Sequence, residues 1–374
     1  MTDSRKKLFL KRDPYTRTAK AERDFISAVR EQTVFHRSHC GEYARILDKY
    51  GFDAESIRTE ADLRRLPPLP TLYFKRNRLF SVPEEKLAVK ATSSGTKGSR
   101  STVGFDRKTL LLGIGMMYRF FRYHRIISVL PVHYVVLGYE PSAHADMGAV
   151  KTAYGTTKFA PALSRRYCLR DNGTGYDLDI EGVCGEVVAL SKKRCPTRFV
   201  GFPAYMYFAA KRLRERGERL HFGKRSLILL GGGWKQFAGE EIDREEFYEL
   251  IFTVLGIPRE RIFEFYSAVE HPMAYVKCKN GHFHVPLYSR VIIRDVRTLE
   301  PVPDGTEGLL SFVFPLAGSM PLTSVVTDDI AVLSHENCGC GLEAPYFDLK
   351  GRAGVSGIKT CAATAVELAG GEAK

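Results

Sequence analysis

The segment KATSSGTKGSRS, from Lys90 to Ser101, has the composition of a phosphate-binding loop. Its central positions are small, hydroxylated or cationic: Ser93, Ser94, Gly95, Thr96, Lys97 and Gly98. The glycines permit backbone conformations that turn amide groups toward an anion, and the hydroxyls and the lysine can bind phosphate oxygens directly. Because no Gly-Lys-Ser/Thr triplet follows the glycines, the segment is not a P-loop. A phosphate-binding loop and a solvated turn between two strands both remain open.

Several residues suited to binding a nucleotide follow this segment along the chain. They are a triglycine, an aromatic and an acid four positions apart, a further acid and an arginine: Gly231, Gly232, Gly233, Tyr266, Glu270, Asp329 and Arg352. The triglycine follows a predicted strand, where the loops of a parallel sheet face a ligand cleft. Taken alone, each residue also has an ordinary structural interpretation as a core aromatic, a surface acid or part of a polar turn.

Three cysteines and two histidines are candidates for a metal site. The segments CKNGHFHV and ENCGCG contain Cys278, His282, His284, Cys338 and Cys340. Three thiolates and one imidazole make a tetrahedral zinc site, which is structural because no coordination position is left open. The two histidines would point to the same face of a strand, so either can supply the imidazole, and His335 is a weaker rival. Buried thiols with an exposed histidine pair are the alternative interpretation.

Composition describes a chain that can form a large core and that favours anionic partners. It has 374 residues, 44% of them hydrophobic, eight cysteines and a formal net charge of +13. The basic residues are interspersed with acids and form no recognition helix, zinc finger or aromatic RNA motif, so we do not expect nucleic-acid binding. We find no apolar run of membrane-spanning length and no signal-peptide segment, which predicts a cytoplasmic protein whose cysteines are thiols or metal ligands.

Hydrophobic periodicity predicts an α/β protein. Apolar positions recur at helical spacing within residues 1–70, which we expect to form an N-terminal helical region. From about residue 87 to 265, strands alternate with helices, as is typical of a largely parallel sheet. Short strands and turns from about residue 273 to 333 predict an antiparallel β subdomain. We therefore expect an α/β domain over residues 71–349, followed by a short tail over residues 350–374.

Four motifs occur in an order that resembles the adenylate-forming superfamily. They are the phosphate-loop sequence, the Tyr-x-x-x-Glu segment, the Thr-x-Asp segment and the final Gly-Arg. Within it, the sequence is most similar to the acyl-protein synthetase (LuxE) family and to its relatives, the phenylacetate–coenzyme A ligases. The segments GFPAYMYFAAKRL, LLGGGWK and HVPLYSRVIIRDV carry this likeness across most of the chain. The resemblance implies the large N-terminal domain of adenylate-forming enzymes, with their C-terminal domain largely absent.

The resemblance also implies a ligase that uses ATP and Mg²⁺ to convert a carboxylic acid into acyl-AMP and pyrophosphate. Residues 93–98 would hold the β- and γ-phosphates, with Lys97 among the catalytic groups, and the triglycine would line the adenine and acyl pocket. Tyr266 would stack on adenine and Glu270 would bind Mg²⁺. Asp329 would bind the ribose, and Arg352 would contact the ribose or a phosphate. Two positions depart from the superfamily pattern, because Val269 lacks the usual hydroxyl and Asp328 replaces the usual glycine.

Relatives in the phenylacetate–coenzyme A ligase branch carry a similar pair of Cys/His and Cys-x-Cys segments. This likeness favours the structural zinc site over buried thiols. The ligand set that we expect on this basis is Cys278, His284, Cys338 and Cys340.

The resemblance gives a function to the cysteine in the tail. Acyl-protein synthetases carry a cysteine near the C-terminus that accepts the acyl group from acyl-AMP, and Cys361 matches it. Cys361 lies at the start of a segment with high helix propensity, and Lys359 is close to it in sequence. Both features favour the thiolate form of Cys361. A plain surface cysteine is the alternative.

Three functions are consistent with the sequence. The leading one is a ligase that activates a fatty or other hydrophobic acid and transfers it to Cys361 and then to a partner reductase or carrier protein. The second is an acyl- or aryl-coenzyme A ligase, or a carrier-protein acyl ligase of a biosynthetic pathway. The third is a degenerate nucleotide-binding protein without catalysis, which the departures at Val269 and Asp328 favour.

Overall fold

The computed structural model describes residues 4–92, 101–142 and 148–353. In chain order, the α-helices of these residues are α1 Ser4–Phe9, α2 Ala19–His39, α3 Gly41–Lys49, α4 Glu60–Arg65, α5 Thr71–Arg76, α6 Arg107–Tyr123, α7 Gly148–Thr156, α8 Ile180–Ser191, α9 Pro203–Glu215 and α10 Arg244–Leu255. The strands are β1 Leu69–Pro70, β2 Leu87–Thr92, β3 Thr102–Asp106, β4 Val132–Tyr139, β5 Ala162–Asp171, β6 Tyr176–Leu178, β7 Thr197–Gly201, β8 Leu227–Gly231, β9 Ile262–Ala268, β10 His271–Val276, β11 Phe283–His284, β12 Arg290–Arg294, β13 Gly308–Val313, β14 Ser324–Ser334 and β15 Tyr346–Arg352.

The chain divides into two compact units. Unit 1 comprises residues 1–124 and 268–374, and unit 2 comprises residues 125–267. Unit 2 is thus inserted into the sequence of unit 1.

Unit 2 is built on a mainly parallel sheet whose strands lie in the order β6-β5-β4-β7-β8-β9. The pairs β4–β5, β4–β7, β7–β8 and β8–β9 are parallel, and the short β6 runs antiparallel to its neighbour β5. One hydrophobic core joins this sheet to α8, α9 and α10 through side chains such as Val135, Phe199 and Ile251. The alternation of strands and helices in the sequence correctly predicted this arrangement, because crossover helices are needed to connect parallel strands.

Unit 1 contains a mainly antiparallel sheet in the order β11-β15-β14-β13-β12. The pairs β12–β13, β13–β14 and β14–β15 are antiparallel, while the two-residue β1 pairs with β14 in parallel. The antiparallel strands expected in this region are confirmed for β12, β13 and β14, and β15 extends the sheet along the chain. A separate two-stranded antiparallel sheet, β2–β3, precedes α6.

Local signals explain where the helices of unit 1 begin. Asp106 caps α6, because its carboxylate accepts a hydrogen bond from the Thr109 amide at 2.7 Å. Thr18 caps α2 in the same way, and Thr59 and Asp62 form a capping box at the start of α4. Among the described residues, no helix combines the length and the apolar character needed to cross a bilayer.

Candidate adenylation site and candidate metal centre

The strands on either side of the hydroxyl-rich segment pair with one another. Thr92 at the end of β2 lies opposite Thr102 at the start of β3. Ser93, Ser94, Gly95, Thr96, Lys97 and Gly98 lie outside the described residues. The two ends of the segment are therefore neighbours in an antiparallel pair.

Ser101, the first described residue after this segment, contacts the carboxylate that we expected to bind Mg²⁺. Its hydroxyl donates a hydrogen bond to Oε1 of Glu270. Ser101 is fully buried and Glu270 is only 5% exposed. The end of the candidate phosphate loop and the candidate metal carboxylate therefore meet inside unit 1.

Burial and the neighbouring charges determine how the Glu270 carboxylate would interact with a cation. Burial raises the pKa of its carboxyl above the ordinary value of 4.5, and the negative charge of Asp328 acts in the same direction. The Ser101 hydrogen bond and the charge of Lys75 oppose this rise. Within the described part of the chain no lysine or arginine forms an ion pair with Glu270. A buried carboxylate without an ion-pair partner among the described residues fits a bound Mg²⁺, which prefers carboxylate and phosphate oxygens.

Asp329 and Arg352, which we expected to bind the ribose and a phosphate, lie side by side in the antiparallel sheet of unit 1. Their Cα atoms are register partners in β14 and β15. The guanidinium Nε of Arg352 is 3.7 Å from Oδ1 of Asp329. Asp328 precedes this pair, and its carbonyl oxygen accepts a hydrogen bond from the Ala353 amide at 2.7 Å. The negative charge of Asp328 contributes to the raised pKa of Glu270.

The other predicted nucleotide residues lie in unit 2, at the carboxyl ends of neighbouring parallel strands. Gly231 ends β8 and is the register partner of Phe265, the residue before Tyr266 in β9. Gly232 and Gly233 have φ angles of 84° and 63°, which a residue with a side chain rarely adopts. Loops at this edge of a parallel sheet are the usual ligand-binding position. The triglycine therefore begins opposite the residue that precedes Tyr266.

The four residues proposed as zinc ligands converge in unit 1. The ligand atoms of Cys278, His284, Cys338 and Cys340 all lie within 4.8 Å of one another. Nε2 of His284 is 3.1 Å from Sγ of Cys338 and 3.2 Å from Sγ of Cys340. Sγ of Cys278 is 4.0 Å from Sγ of Cys338. Three sulfur atoms and one imidazole nitrogen at these separations have the donor set of a structural zinc site.

Hydrogen bonds around this cluster orient its donors. Nδ1 of His284 lies 2.7 Å from the carbonyl oxygen of Ala344, which leaves Nε2 directed at the sulfur atoms. Burial raises the pKa of the Cys278 thiol, but hydrogen bonding to His284 and to backbone amides outweighs this effect and lowers it. The competing histidines are engaged elsewhere, since His282 pairs with Asp348 at 2.8 Å and His335 pairs with Asp304.

Two residues that sequence reasoning missed lie beside the cluster. The ring of Tyr15 meets that of His284 edge to face, with centroids 6.4 Å apart. The Tyr15 hydroxyl is 2.8 Å from Nε2 of His124, which follows the last residue of α6. Burial raises the pKa of Tyr15, and the nearby Cys340 and Cys278 add to this rise. The N-terminal segment and the end of α6 therefore pack against the cysteine–histidine cluster, a contact between distant segments that no sequence spacing indicated.

Cys361, the predicted acyl acceptor, lies outside the described residues. Among the described cysteines, Cys40, Cys168 and Cys184 are buried, and burial raises the pKa of each thiol. A buried, protonated thiol is a poor nucleophile. These three cysteines are therefore unsuited to accepting an acyl group.

Comparisons with known proteins agree with the fold and with the family resemblance of the sequence. The chain is 27% identical to the long-chain-fatty-acid–luciferin-component ligase of Aliivibrio fischeri, an alignment that covers 82% of this chain and 78% of the relative. It is 25% identical to the corresponding ligase of Vibrio harveyi, with 81% and 77% coverage. A phenylacetate–coenzyme A ligase of Thermus thermophilus is 24% identical, and the alignment covers 80% of this chain and 62% of that enzyme.

Among solved structures, a 2-hydroxyisobutyryl-CoA ligase in its postadenylation state matches with a TM-score of 0.68 at 14% sequence identity. The match covers 91% of this chain and 71% of that one, and it shows the fold of the adenylate-forming ligases. The model of the family described as acyl-protein synthetase, LuxE, matches residues 3–368. The chain is thus a ligase with the adenylate-forming fold and belongs to the acyl-protein synthetase (LuxE) family.

Proposed function

We propose that this ligase activates a long-chain fatty acid or a similar hydrophobic acid as acyl-AMP and transfers the acyl group to a protein thiol. The observation that carries the proposal is the hydrogen bond from Ser101 to Glu270, which links the end of the candidate phosphate loop to a buried carboxylate. The names of the relatives from Aliivibrio fischeri and Vibrio harveyi support a long-chain acid as substrate.

In the first half-reaction the carboxylate of the acid attacks the α-phosphorus of ATP. An acyl–phosphate anhydride bond forms, the bond between the α- and β-phosphates breaks, and pyrophosphate leaves. Residues 93–98 would bind the β- and γ-phosphates, while Tyr266 would stack on adenine and Asp329 would accept hydrogen bonds from the ribose. Glu270 would hold Mg²⁺, whose charge stabilises the phosphate oxygens during displacement.

In the second half-reaction the thiolate of Cys361 would attack the acyl carbon of acyl-AMP. A thioester forms, the anhydride bond breaks, and AMP leaves with the electron pair. The acyl group would then pass to a partner reductase or carrier protein, or, in the second candidate, acyl-AMP would be attacked by coenzyme A. The similarity to the phenylacetate–coenzyme A ligase supports this second candidate.

We further propose that Cys278, His284, Cys338 and Cys340 bind one structural Zn²⁺. The proposal rests on three sulfur atoms and Nε2 of His284 lying within 4.8 Å of one another. Since all four positions are protein ligands, the ion would stabilise the packing of β11 and β15 and take no part in catalysis.

Intact-mass spectrometry after incubation with ATP, Mg²⁺ and a panel of carboxylic acids tests the acyl chemistry. We expect a mass increase of one acyl group, which hydroxylamine removes and which Cys361→Ala abolishes. Pyrophosphate release without a mass increase would assign the transfer to coenzyme A or a carrier. Neither product, over acids of all chain lengths and with aromatic acids included, would contradict the proposed function and favour a non-catalytic nucleotide-binding protein.

A further inference from the structure

The outward face of α6 carries three large apolar side chains in contact with solvent. Leu111 is 73% exposed, Ile114 is 65% exposed and Tyr118 is 49% exposed. Their spacing of three and four residues places them in one row along the helix. Solvent exposure of three large apolar residues in one row is unusual for a surface that contacts only water.

The opposite face of α6 is fixed in the core of unit 1. Thr109, Met116, Phe120 and Phe121 are buried on that face. The Asp106 cap fixes the start of the helix, and the Tyr15–His124 hydrogen bond fixes the residue after its end. Because the core holds α6 on its inner side, the row of apolar side chains is presented by a rigid helix.

The charged residues on this outward face are all basic. Exposed Arg107 and Lys108 lie at its start and exposed Arg122 at its end, and helical spacing places them within the same face as the apolar row. No acidic residue occurs from Arg107 to Tyr139. At 1.5 Å per residue, the cationic ends are separated by about 22 Å, with the apolar row between them.

We infer that this face of α6 docks on an anionic lipid bilayer, with the helix axis parallel to the membrane plane. The apolar row would enter the boundary between headgroups and acyl chains, where tyrosine is also favoured, and the basic ends would contact lipid phosphates. The inference does not depend on the acyl chemistry proposed above.

The size of the face favours a bilayer over a partner protein. A stable protein interface buries about 800 Å² on each side, which is more than three apolar side chains on one convex helix supply. Partition into a bilayer needs no complementary partner surface, since each inserted side chain and each basic residue contributes separately. The charged side chains on this face are all cations, and anionic headgroups are complementary to them. This complementarity identifies the class of lipid.

Cosedimentation of the full chain with large unilamellar vesicles tests the inference. Vesicles of phosphatidylcholine alone are compared with vesicles that contain phosphatidylcholine and phosphatidylglycerol in equal amounts, at low and high salt. We expect binding to the anionic vesicles that weakens with salt. Leu111→Gln with Ile114→Gln should reduce partitioning about tenfold, and Arg107→Gln with Arg122→Gln should reduce it about 25-fold, because each basic residue contributes about fivefold.

Two controls separate membrane docking from loss of folding and from general surface hydrophobicity. Leu111→Phe with Ile114→Phe keeps the face apolar and should retain binding, and Phe252→Gln removes a side chain of α10 that is 58% exposed and should change nothing. No sedimentation of the wild-type chain with anionic vesicles would overturn the inference. So would a Leu111/Ile114 variant that binds vesicles like wild type but dissociates an oligomer in analytical ultracentrifugation, which would assign the face to a protein contact.

Discussion

Ser101 donates a hydrogen bond to Glu270 across 169 positions of sequence. The bond joins the first described residue after the candidate phosphate loop to a buried carboxylate that forms no ion pair within the described part of the chain. A carboxylate in this position could bind a cation that accompanies the phosphates of ATP.

Glu270→Gln should abolish most acyl-AMP formation. The amide keeps the shape of the side chain but removes the charge that would hold Mg²⁺, so we expect pyrophosphate release to fall by about 100-fold or more. Glu307→Gln, at an exposed position of unit 1, is the matched control and should retain full activity. Ser101→Ala removes one hydrogen bond to a charged group and should reduce the rate about tenfold. Wild-type rates in Glu270→Gln would show that another residue binds the metal.

The same variant should be more stable than wild type near neutral pH. A carboxyl whose pKa is raised in the folded state favours folding when protonated, and this contribution is lost as pH rises through the folded pKa. Glu270 therefore destabilises the ligand-free protein at pH 7, and Glu270→Gln removes that effect. Thermal unfolding should show a higher Tm for the variant at pH 7 and nearly equal values below pH 4, under the ordinary carboxyl pKa of 4.5. An equal Tm at both pH values would contradict the buried, ionised state of Glu270.

Replacement of a cluster cysteine should release the metal and destabilise unit 1. Cys278→Ser and Cys338→Ser are each expected to reduce bound zinc from about one ion per chain to near zero and to lower the free energy of unfolding by about 2 kcal/mol or more. Elemental analysis and thermal unfolding measure the two effects. Cys195→Ser, a partly exposed cysteine of unit 2, is the control and should change neither. A wild-type chain purified in zinc-containing medium without stoichiometric zinc would refute the site.

His282 and His284 provide a sharper test of the ligand set. His284→Gln should abolish zinc binding, because Nε2 of His284 faces two sulfur atoms. His282→Gln should retain zinc, because His282 is hydrogen-bonded to Asp348 instead. Substitution with Co²⁺ and its visible absorption reports the ligand field directly. Loss of the metal in His282→Gln, with the metal retained in His284→Gln, would show that His282 and not His284 supplies the imidazole.

Asp329→Asn should weaken nucleotide binding much more than it weakens the fold. The contact to Arg352 spans 3.7 Å and the Arg352 side chain is 56% exposed, so the ion pair contributes roughly 0–1 kcal/mol to stability. Loss of a charged acceptor for the ribose hydroxyls should raise the KM for ATP about tenfold. Steady-state kinetics and thermal unfolding separate the two effects. A large fall in Tm with an unchanged KM would make Asp329 a structural residue only.

Cys361→Ala should separate adenylation from acyl transfer. The variant is expected to release pyrophosphate once per bound acid and to retain acyl-AMP, while the acyl-protein mass increase disappears. Cys195→Ala is the matched control, because it removes a partly exposed thiol and should leave acylation intact. Acylation that persists in Cys361→Ala would place the acceptor thiol elsewhere.

The sequence alone predicted those features that depend on neighbouring residues. Alternating strands and helices indicated the parallel sheet of unit 2, and the turn-rich segment from about residue 273 to 333 indicated antiparallel strands, because local periodicity reflects which face each element buries. The order of the motifs identified the family, and the spacing of the cysteines and histidines limited the metal ligands to a few candidates.

Only the tertiary structure decided between residues of the same type and joined distant ones. Packing of β11 against β15 aims His284 at the sulfur atoms and leaves His282 with Asp348. The contacts of Ser101 with Glu270 and of Tyr15 with His284 and His124 also arise from packing. A hydrogen bond between residues far apart in sequence depends on how whole elements pack, and residue type and local spacing carry no information about that packing.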